Sequence, residues 1–385
     1  MTMNALDRQR LHEALTLAES SFGLTEPNPR VGCVIGTPQG DVLGRGASQQ
    51  AGGPHAEVMA LRDAQAAGRS VRGATAWVTL EPCAHHGRTP PCCDALIEAG
   101  IARVVAALGD PFPQVNGAGM ARLRAAGIAA TFAEGDIAAS AAHVNAGFLS
   151  RVIRGRPWVR LKIASSLDGR TALPNGKSQW ITDEPARKDG HAWRRRAAAV
   201  LTGIGTVRCD DPRLDVRLVP TSAQPLRVIV DSQFRLAADA RVLAPPGQVI
   251  VVGALDTEPT ARRLAHTGAT LLSLPGADGR VDLGLLLKDL ASRGVNEVHV
   301  EAGARLNGSL LAAGIVDEVL LYLGPMLLGP GLPMAEWPAL QQLEQAERMQ
   351  VEDVSRLGPD VRLRASTLAG RQLLFDACRT ARAAA

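Results

Sequence analysis

The residues best suited to chemistry are a histidine, a glutamate and two cysteines in the first quarter of the chain. His55 is followed two residues later by Glu57, Cys83 directly follows Pro82, and eight residues separate Cys83 from Cys92. Two thiolates and one imidazole fill three tetrahedral positions of Zn²⁺ and leave the fourth for a water, whose pKa the metal lowers to about 7. Glu57 could then carry protons from water to a departing amine. The pattern predicts hydrolytic removal of an amino group at a zinc centre.

The ligands are predicted to lie at the boundaries of helices and strands. A helix at 55–68 starts with the histidine, a strand at 74–80 ends before the first cysteine, and a helix at 92–99 starts with the second. A thiolate is favoured at a helix N-terminus, and α/β folds collect ligands where strand ends face helix starts. The remaining alternatives are a structural zinc site and cysteines that only fill the core.

Longer motifs around these residues resemble one known family, the bifunctional deaminase/reductases of riboflavin biosynthesis. The similar segments are TEPNPRVGCVI, GGPHAEVMAL and VTLEPCAHHGRTPPCCDALIEAGIARVV. The resemblance implies His55, Cys83 and Cys92 as the zinc ligands and Glu57 as the catalytic proton-transfer residue. It also suggests substrate contacts from Asn28, His85 and Arg88. The chain departs from the family at Phe112, where an asparagine is usual, so the polar side chain of that position is missing.

Composition and hydrophobic pattern indicate two α/β domains, which we place at 1–150 and 151–368, with a C-terminal tail at 369–385. The chain has 385 residues and is 46% hydrophobic, enough for two packed cores. Other elements predicted in the first domain are helices at 7–20, 117–126 and 136–148 and strands at 31–36, 101–108 and 128–133. Strands predicted in the second domain are at 158–165, 198–203, 226–231, 248–253, 269–272, 297–301 and 317–323.

The second domain has no GxGxxG turn, but two other glycine-containing turns follow apolar strands. TGIGT spans Thr202–Thr206, and VEAGARLNGSLL places Gly303 before a helix. Backbone N–H groups at such turns attract phosphates, because they are free of partners and the helix dipole favours anions. Taken together, the two turns favour a site for a dinucleotide or a phosphate.

Five segments of this half also resemble the family, in its reductase domain: ASSLDGRTA, SQWIT, TGIGTVRCDDPRLDVR, RVIVDSQFR and VEAGARLNGSLLAAGIVDEV. The resemblance implies an α/β fold with an N-terminal cytidine-deaminase-like three-layer domain and a C-terminal dihydrofolate-reductase-like α/β domain. It implies NADPH contacts from Ala164, Trp180, Thr206, Asp210, Ser232, Gly303, Ala304, Arg305, Leu306, Asn307, Gly308 and Ser309. It implies substrate contacts from Ser178, Arg194, Leu214, Arg217 and Glu301. Arginines suit a phosphate, which they can bind bidentately.

The resemblance implies two consecutive reactions on one small phosphoribosyl-pyrimidine. A zinc-dependent deamination of 2,5-diamino-6-(5-phosphoribosylamino)pyrimidin-4(3H)-one is followed by NADPH-dependent reduction of the ribosyl group to ribityl phosphate. A nucleic-acid deaminase is an alternative from another class, because it shares the zinc motif. It would need a basic groove and stacking aromatics, whereas the chain has a net charge of +4 and 3% aromatic residues.

Cysteine usage and hydropathy favour a cytoplasmic enzyme. Cys33, Cys209 and Cys378 stand apart from the zinc motif, a distribution that fits a reducing compartment. The N-terminal segment has no apolar signal-peptide core, and no run is long enough to span a membrane. We therefore expect no nucleic-acid or membrane partner, while a homo-oligomer is possible.

Overall fold

The structure is a computed structural model that describes residues 3–85 and 90–383, so the predicted contact Arg88 lies outside the described residues. The chain divides into two compact units. Unit 1 comprises Met1–Arg154 together with Gln372–Ala385, and unit 2 comprises Gly155–Arg371. The division falls close to the boundary predicted near residue 150. Most of the segment treated in the sequence as a separate tail, from Gln372 onward, is grouped with unit 1.

Unit 1 is built around a five-stranded sheet. Its strands are β1 (Gly32–Gly36), β2 (Val42–Ala47), β3 (Thr75–Val78), β4 (Arg103–Ala106) and β5 (Ala129–Phe132). Its first six helices are α1 (Ala5–Ser20), α2 (Ala56–Ala66), α3 (Cys92–Glu98), α4 (Ala118–Ala125), α5 (Asp136–Val144) and α6 (Ala146–Arg154). The strand order is β2-β1-β3-β4-β5. β1 runs antiparallel to β2 and β3, whereas β3, β4 and β5 are parallel.

Two glycines of β2 set the position of α2 and therefore of the predicted zinc and proton-transfer residues. A Cβ atom on Gly44 would lie 2.2 Å from the carbonyl oxygen of Ala60, and one on Gly46 would lie 2.1 Å from that of Ala56. Only glycine permits such a close approach of strand and helix backbones. β2 was not predicted from the sequence, because glycines weaken the strand pattern of VLGRGA.

The helix predicted at 136–148 is interrupted in the structure at Asn145. The side chain of Asn145 accepts a hydrogen bond of 2.8 Å from the backbone N–H of Arg30 and donates one of 3.0 Å to its carbonyl oxygen. Asparagine competes with helical hydrogen bonding through such contacts with backbone groups. The interruption gives the separate helices α5 and α6.

Unit 2 contains a nine-stranded sheet and a two-stranded sheet. The strands are β6 (Trp158–Ser166), β7 (Arg170–Ala172), β8 (Ala199–Gly203), β9 (Leu226–Val230), β10 (Val249–Gly253), β11 (Thr270–Ser273), β12 (Glu297–Val300), β13 (Glu318–Gly324), β14 (Leu332–Pro333), β15 (Met349–Leu357) and β16 (Asp360–Thr367). The helices are α7 (Glu184–Arg196), α8 (Ile204–Asp210), α9 (Glu258–Leu264), α10 (Leu283–Ser292) and α11 (Ala304–Ala312). α12 (Leu368–Ala383) follows them.

All seven strands predicted for the second half are present, in the order β11-β10-β9-β8-β12-β6-β13. These seven strands are parallel, and the hairpin β16-β15 adds two antiparallel strands at one edge. In this order β8 and β12 are neighbours. The chain leaves β8 toward β9, on one side of this pair, and leaves β12 toward β13, on the other side. The carboxyl ends of β8 and β12 therefore form a topological switch point, the place where open α/β sheets bind ligands.

The opposite, amino-terminal end of this sheet is closed by buried ion pairs. The guanidinium of Arg160 lies 2.8 Å from the carboxylate of Glu297 and 2.9 Å from that of Glu318, and all three side chains are fully buried. Arg196 adds a contact of 3.0 Å to Glu297. Removing one partner of such a set leaves a buried charge, so these residues constrain the register of three neighbouring strands.

The C-terminal helix α12 contributes apolar side chains to the core of unit 1. Ala377 is buried there, and Leu374 and Cys378 pack against the same core. The amphipathic sequence RQLLFDACR therefore covers part of unit 1. In the described part of the chain, no helix combines the length and the apolar character needed to cross a membrane.

Candidate functional sites

The three predicted zinc ligands converge in unit 1. The Nδ1 atom of His55 lies 3.6 Å from the Sγ atom of Cys83 and 3.3 Å from that of Cys92. The three ligand atoms lie within 4.8 Å of one another. His55 is the N-cap residue of α2 and Cys92 is the first residue of α3, so two helix N-termini face the loop that follows β3.

This geometry fits a single tetrahedral zinc ion. Ligands at about 2.3 Å for sulfur and about 2.1 Å for nitrogen are about 3.6 Å apart around one zinc. The backbone N–H of Cys92 also donates to the Sγ atom of Cys83 at 3.3 Å. Such a bond stabilises a thiolate, the form of cysteine that binds metals.

Glu57 lies beside the ligands in a cavity of about 350 Å³. Its side chain is 3% exposed and hydrogen-bonds to Cys92. Asn28 and His85, the predicted substrate contacts, line the same cavity, as does Phe112. The ring centroids of His85 and Phe112 are 6.0 Å apart, so the residue that departs from the family pattern contributes an apolar wall.

Burial and the neighbouring sulfurs shift the pKa values of this site. Burial raises the pKa of Glu57 to about 7, and the negative charge of Cys83 adds to the effect. Hydrogen bonding from Cys92 lowers the pKa of Cys83 to about 4. The hydrogen bond with Cys83 raises the pKa of His55. Cysteine binds a metal as the thiolate and histidine as the neutral imidazole, so binding of zinc here is coupled to release of protons.

Glu81, which was not predicted from the sequence, supports the segment that carries Cys83. Its carboxylate accepts hydrogen bonds from the backbone N–H groups of Asp110 (3.3 Å), Gly117 (3.1 Å), Gly119 (2.9 Å) and Met120 (3.2 Å). A carboxylate with several N–H donors is strongly held. The available signal was a charged residue at the end of an apolar strand, two positions before Cys83.

Cys93, the neighbour of the second ligand, faces away from the metal site. Its thiol donates to the carbonyl oxygens of Pro82 at 3.3 Å and Gly119 at 3.5 Å, and the side chain is fully buried. This contact fixes the first turn of α3 to the loop that carries the first cysteine. Cys93 therefore has a structural environment, and Cys92 is the cysteine that points to the histidine.

In unit 2, two of the predicted cofactor segments meet at the carboxyl ends of β8 and β12. A Cβ atom on Gly303 would lie 3.7 Å from the Oγ1 atom of Thr206. Gly303 is the N-cap of α11 and makes no side-chain cap, so the first N–H groups of that helix are directed toward this edge. This arrangement fits the phosphates of a dinucleotide, which helix N-termini and glycine turns bind through backbone N–H groups.

The seven consecutive residues predicted to contact the cofactor do not share one environment. Asn307 is 1% exposed and donates to the carbonyl oxygen of Met334 at 2.8 Å. A Cβ atom on Gly308 would lie 2.0 Å from the carbonyl oxygen of Glu336. These two residues seat α11 against the segment Met334–Glu336. Cofactor contact by Gly303 to Ser309 remains a prediction for each residue.

Two predicted substrate residues, Arg194 and Glu301, form a two-bond ion pair. Nε of Arg194 donates to one oxygen of Glu301, and Nη2 donates to the other at 2.9 Å. Burial opposes ionisation of Glu301, but the charge and hydrogen bonds of Arg194 outweigh it and lower the pKa of this carboxyl. Lys162, which the sequence analysis missed, lies 3.9 Å from Glu301 and keeps the carboxylate charged.

Arg217 belongs to a neighbouring cluster around Asp215. Its Nη1 atom donates to Asp215 at 2.7 Å, and its backbone N–H donates to Nδ1 of His191 at 3.2 Å. Leu214, in the same segment, is buried and has a φ of 54°. Burial and the charges of Arg194 and Arg217 lower the pKa of His191 to about 4. This histidine, also missed in the sequence, is neutral at physiological pH.

The remaining predicted contacts occupy separate elements of unit 2. Ser178 hydrogen-bonds to Asp210, which ends α8. Trp180 is 64% exposed, with the guanidinium of Arg187 4.7 Å from its ring centroid. Ala164 lies within β6, and Ser232 follows β9 and accepts a 3.2 Å hydrogen bond from the N–H of Val281. Their ligand contacts remain predictions.

Unit 1 therefore has the residues of a zinc-dependent hydrolase, and unit 2 has two glycine-containing turns that meet at a topological switch point. Comparisons with known proteins agree with both. Residues 5–108 match the model of the cytidine and deoxycytidylate deaminase zinc-binding region, and residues 157–363 match that of the RibD C-terminal domain.

The similarity extends over almost the whole length of several curated relatives. The chain is 44% identical to riboflavin biosynthesis protein RibD of Escherichia coli, over 92% of this chain and 98% of the relative. It is 39% identical to the RibD of Aquifex aeolicus, over 92% and 97%. The structure of Acinetobacter baumannii RibD, 42% identical, superposes with a TM-score of 0.81 over 94% of this chain and 99% of that one.

A second solved structure, from Thermotoga maritima, is described as a diaminohydroxyphosphoribosylaminopyrimidine deaminase/5-amino-6-(5-phosphoribosylamino)uracil reductase. It is 32% identical, with a TM-score of 0.83 and coverage of 94% and 99%. The chain belongs to the RibD family of riboflavin-biosynthesis enzymes. It is a bifunctional deaminase and reductase whose cofactors are Zn²⁺ and NADPH, which confirms the predicted fold class and activities.

Proposed function

We propose that unit 1 deaminates 2,5-diamino-6-(5-phosphoribosylamino)pyrimidin-4(3H)-one and that unit 2 reduces the ribosyl group of the product to ribityl phosphate. The observation that carries the first step is the convergence of His55, Cys83 and Cys92 at zinc spacing, with Glu57 in the same cavity. The Thermotoga maritima relative, described by both activities, supports the choice of substrate.

In the deamination, zinc supplies an acidic centre that makes a water nucleophilic at neutral pH. Glu57 takes a proton from the attacking water on its carboxylate and delivers it to the leaving amine. Burial suits this role, because it raises the pKa of Glu57 to about 7, where a carboxyl group both accepts and releases a proton. The wall formed by Phe112 and Leu80 limits access of other water.

In the reduction, NADPH supplies the hydride. Arg194 fixes both oxygens of Glu301, so that the carboxylate can accept hydrogen bonds from ribose hydroxyls in a defined orientation. Arg217 and Lys162 add positive charge near this pair, which favours a phosphorylated substrate. The six free cysteines support a reducing, cytoplasmic location for both steps.

Replacement of the proton-transfer group tests this assignment. We expect Glu57→Gln to retain zinc and to oxidise NADPH with the deaminated substrate at the wild-type rate. Ammonia release from the diamino substrate should fall by about 10²- to 10⁴-fold, the usual contribution of general acid–base catalysis. Glu134→Gln, which lies outside the cavity lining, serves as a matched control. Ammonia release by Glu57→Gln at the wild-type rate would contradict the role of this residue.

A further inference from the structure

The cavity beside the zinc ligands has a strongly asymmetric distribution of charge. Three carboxyl side chains line it, those of Glu57, Glu81 and Asp110. Among its lining residues in the described part of the chain, Arg151 is the only lysine or arginine. A phosphorylated substrate carries about two negative charges, which the guanidinium of an arginine can bind through charge-assisted hydrogen bonds.

The guanidinium of Arg151 is held in a defined position. Nη2 donates to the carbonyl oxygen of Pro27 at 2.9 Å, and the guanidinium carbon lies 5.8 Å from the ring centroid of Phe148. Pro27 and Phe148 both line the cavity. Burial lowers the pKa of Arg151, but the charge of Glu26 opposes this shift, and a guanidinium stays protonated at neutral pH. Arg151 is therefore a fixed positive charge in the wall.

The charged neighbours of Arg151 differ from those of the acids beside the zinc ligands. Glu26 acts electrostatically on Arg151, whereas Cys83 and His55 act on Glu57 and Asp110. The lining of one cavity thus combines acids beside the zinc ligands with a cation on α6. A pyrimidine bound with its amino group at the zinc ligands would leave its charged substituent for this cation.

We infer that Arg151 binds the phosphate group of the deaminase substrate, with the ribosyl group along the cavity wall formed by Pro27, Asn28 and Pro29. This inference rests on the proposed function of unit 1 and extends it to a specificity-determining residue. Arginine is well suited to the role, since its planar donors match phosphate oxygens and its position on Phe148 and Pro27 is already fixed.

The test compares the phosphorylated substrate with its dephosphorylated form in ammonia-release assays on the full-length zinc enzyme. Wild type should prefer the phosphorylated form. Arg151→Gln should raise KM for that form by about tenfold to a hundredfold, the effect of losing one hydrogen-bonded charge. The dephosphorylated form should be deaminated as before, because it never used the guanidinium. Arg151→Lys should recover part of the preference, since it keeps the charge.

Arg154→Gln is the matched control. Arg154 lies on the same helix, donates to the Oγ atom of Ser150 at 2.7 Å and does not line the cavity. This variant should retain the wild-type preference for the phosphorylated substrate. Zinc content, measured for every variant, reports whether the site has folded.

Each other outcome has a distinct meaning. An equal loss with both substrates in Arg151→Gln would show a structural role and overturn the inference. If Arg151→Gln kept the preference for the phosphorylated substrate and Arg88→Gln lost it, the phosphate would be assigned to Arg88 and the inference would be overturned. Equal use of both substrates by wild type would refute phosphate recognition while leaving the deaminase function intact. Failure of wild type to release ammonia from either would refute the proposed function, and the inference with it.

Discussion

Gly46 gives a sharp test of how the fold positions the zinc site. In Gly46→Ala the added Cβ would lie 2.1 Å from the carbonyl oxygen of Ala56 and 2.4 Å from the backbone nitrogen of Ala60. Both are backbone atoms of α2, so no side-chain rotation relieves the contact. The helix must move by about 1 Å to restore van der Waals distances. Because zinc–ligand distances vary by only about 0.2 Å, this movement displaces His55 from its metal-binding position.

The expected consequences concern unit 1 alone. Overpacking against backbone should cost about 3 kcal/mol in unfolding free energy, which lowers the unfolding temperature of a unit of this size by about 6–12 °C. Zinc should be lost to a competing chelator at lower concentration, and ammonia release should fall with it. NADPH oxidation with the deaminated substrate should remain at the wild-type rate.

A second glycine provides the control. Gly190 lies in α7, and a Cβ atom there would meet nothing within 4 Å. Gly190→Ala should leave zinc affinity unchanged and stabilise unit 2 by up to about 1 kcal/mol through helix propensity. If Gly46→Ala retained wild-type zinc affinity and ammonia release, the argument that β2 sets the position of α2 would be refuted.

Three further predictions concern stability, pH and metal. Glu81→Gln weakens the acceptor of four backbone N–H groups and should cost about 2 kcal/mol in urea unfolding. His191 has a pKa of about 4 when folded and 6.5 as a free side chain, so between these values the unfolded chain binds more protons and stability rises with pH. From pH 8 to pH 5, wild type should therefore lose about 2 kcal/mol of unfolding free energy that the His191→Gln variant does not lose. Chelation of zinc should abolish ammonia release and spare NADPH oxidation.

A different experimental result would contradict each of these three predictions. Unchanged urea midpoints in Glu81→Gln would show that the loop is held by other contacts. Parallel stability–pH curves for His191→Gln and wild type would mean that this histidine titrates normally in the folded protein. Ammonia release that persists after zinc has been removed would refute metal dependence.

The zinc motif could be predicted from the sequence because each ligand lies at the end of an element with a clear pattern. His55 precedes an amphipathic helix, and the cysteines flank the eight-residue sequence AHHGRTPP, which has two prolines. Glu81 and Arg151 could not be found in this way. Their roles depend on backbone groups that lie far away in sequence, the N–H groups around Gly119 for Glu81 and the carbonyl oxygen of Pro27 for Arg151.

The strand positions of unit 2 were also predictable, whereas the strand order was not. Apolar runs show that β8 and β12 are buried strands, yet nothing local shows that β12 inserts between β8 and β6. That insertion creates the switch point where Thr206 meets Gly303. The hairpin of β15 and β16 was missed because the exposed strand β15 is polar and its apolar residues do not alternate regularly.

The pKa values of glutamate and histidine side chains are shifted in opposite directions in the two sites. The two sites are therefore suited to different chemistry. Burial and the thiolate of Cys83 raise the pKa of Glu57, whereas Arg194 lowers the pKa of Glu301, which is also largely removed from solvent. Likewise the pKa of His55 is raised and that of His191 is lowered. Unit 1 thus keeps a carboxyl group that exchanges a proton near neutral pH, as a hydrolytic deamination requires. Unit 2 keeps a permanent carboxylate among cations, a field that suits an anionic cofactor and a phosphorylated sugar.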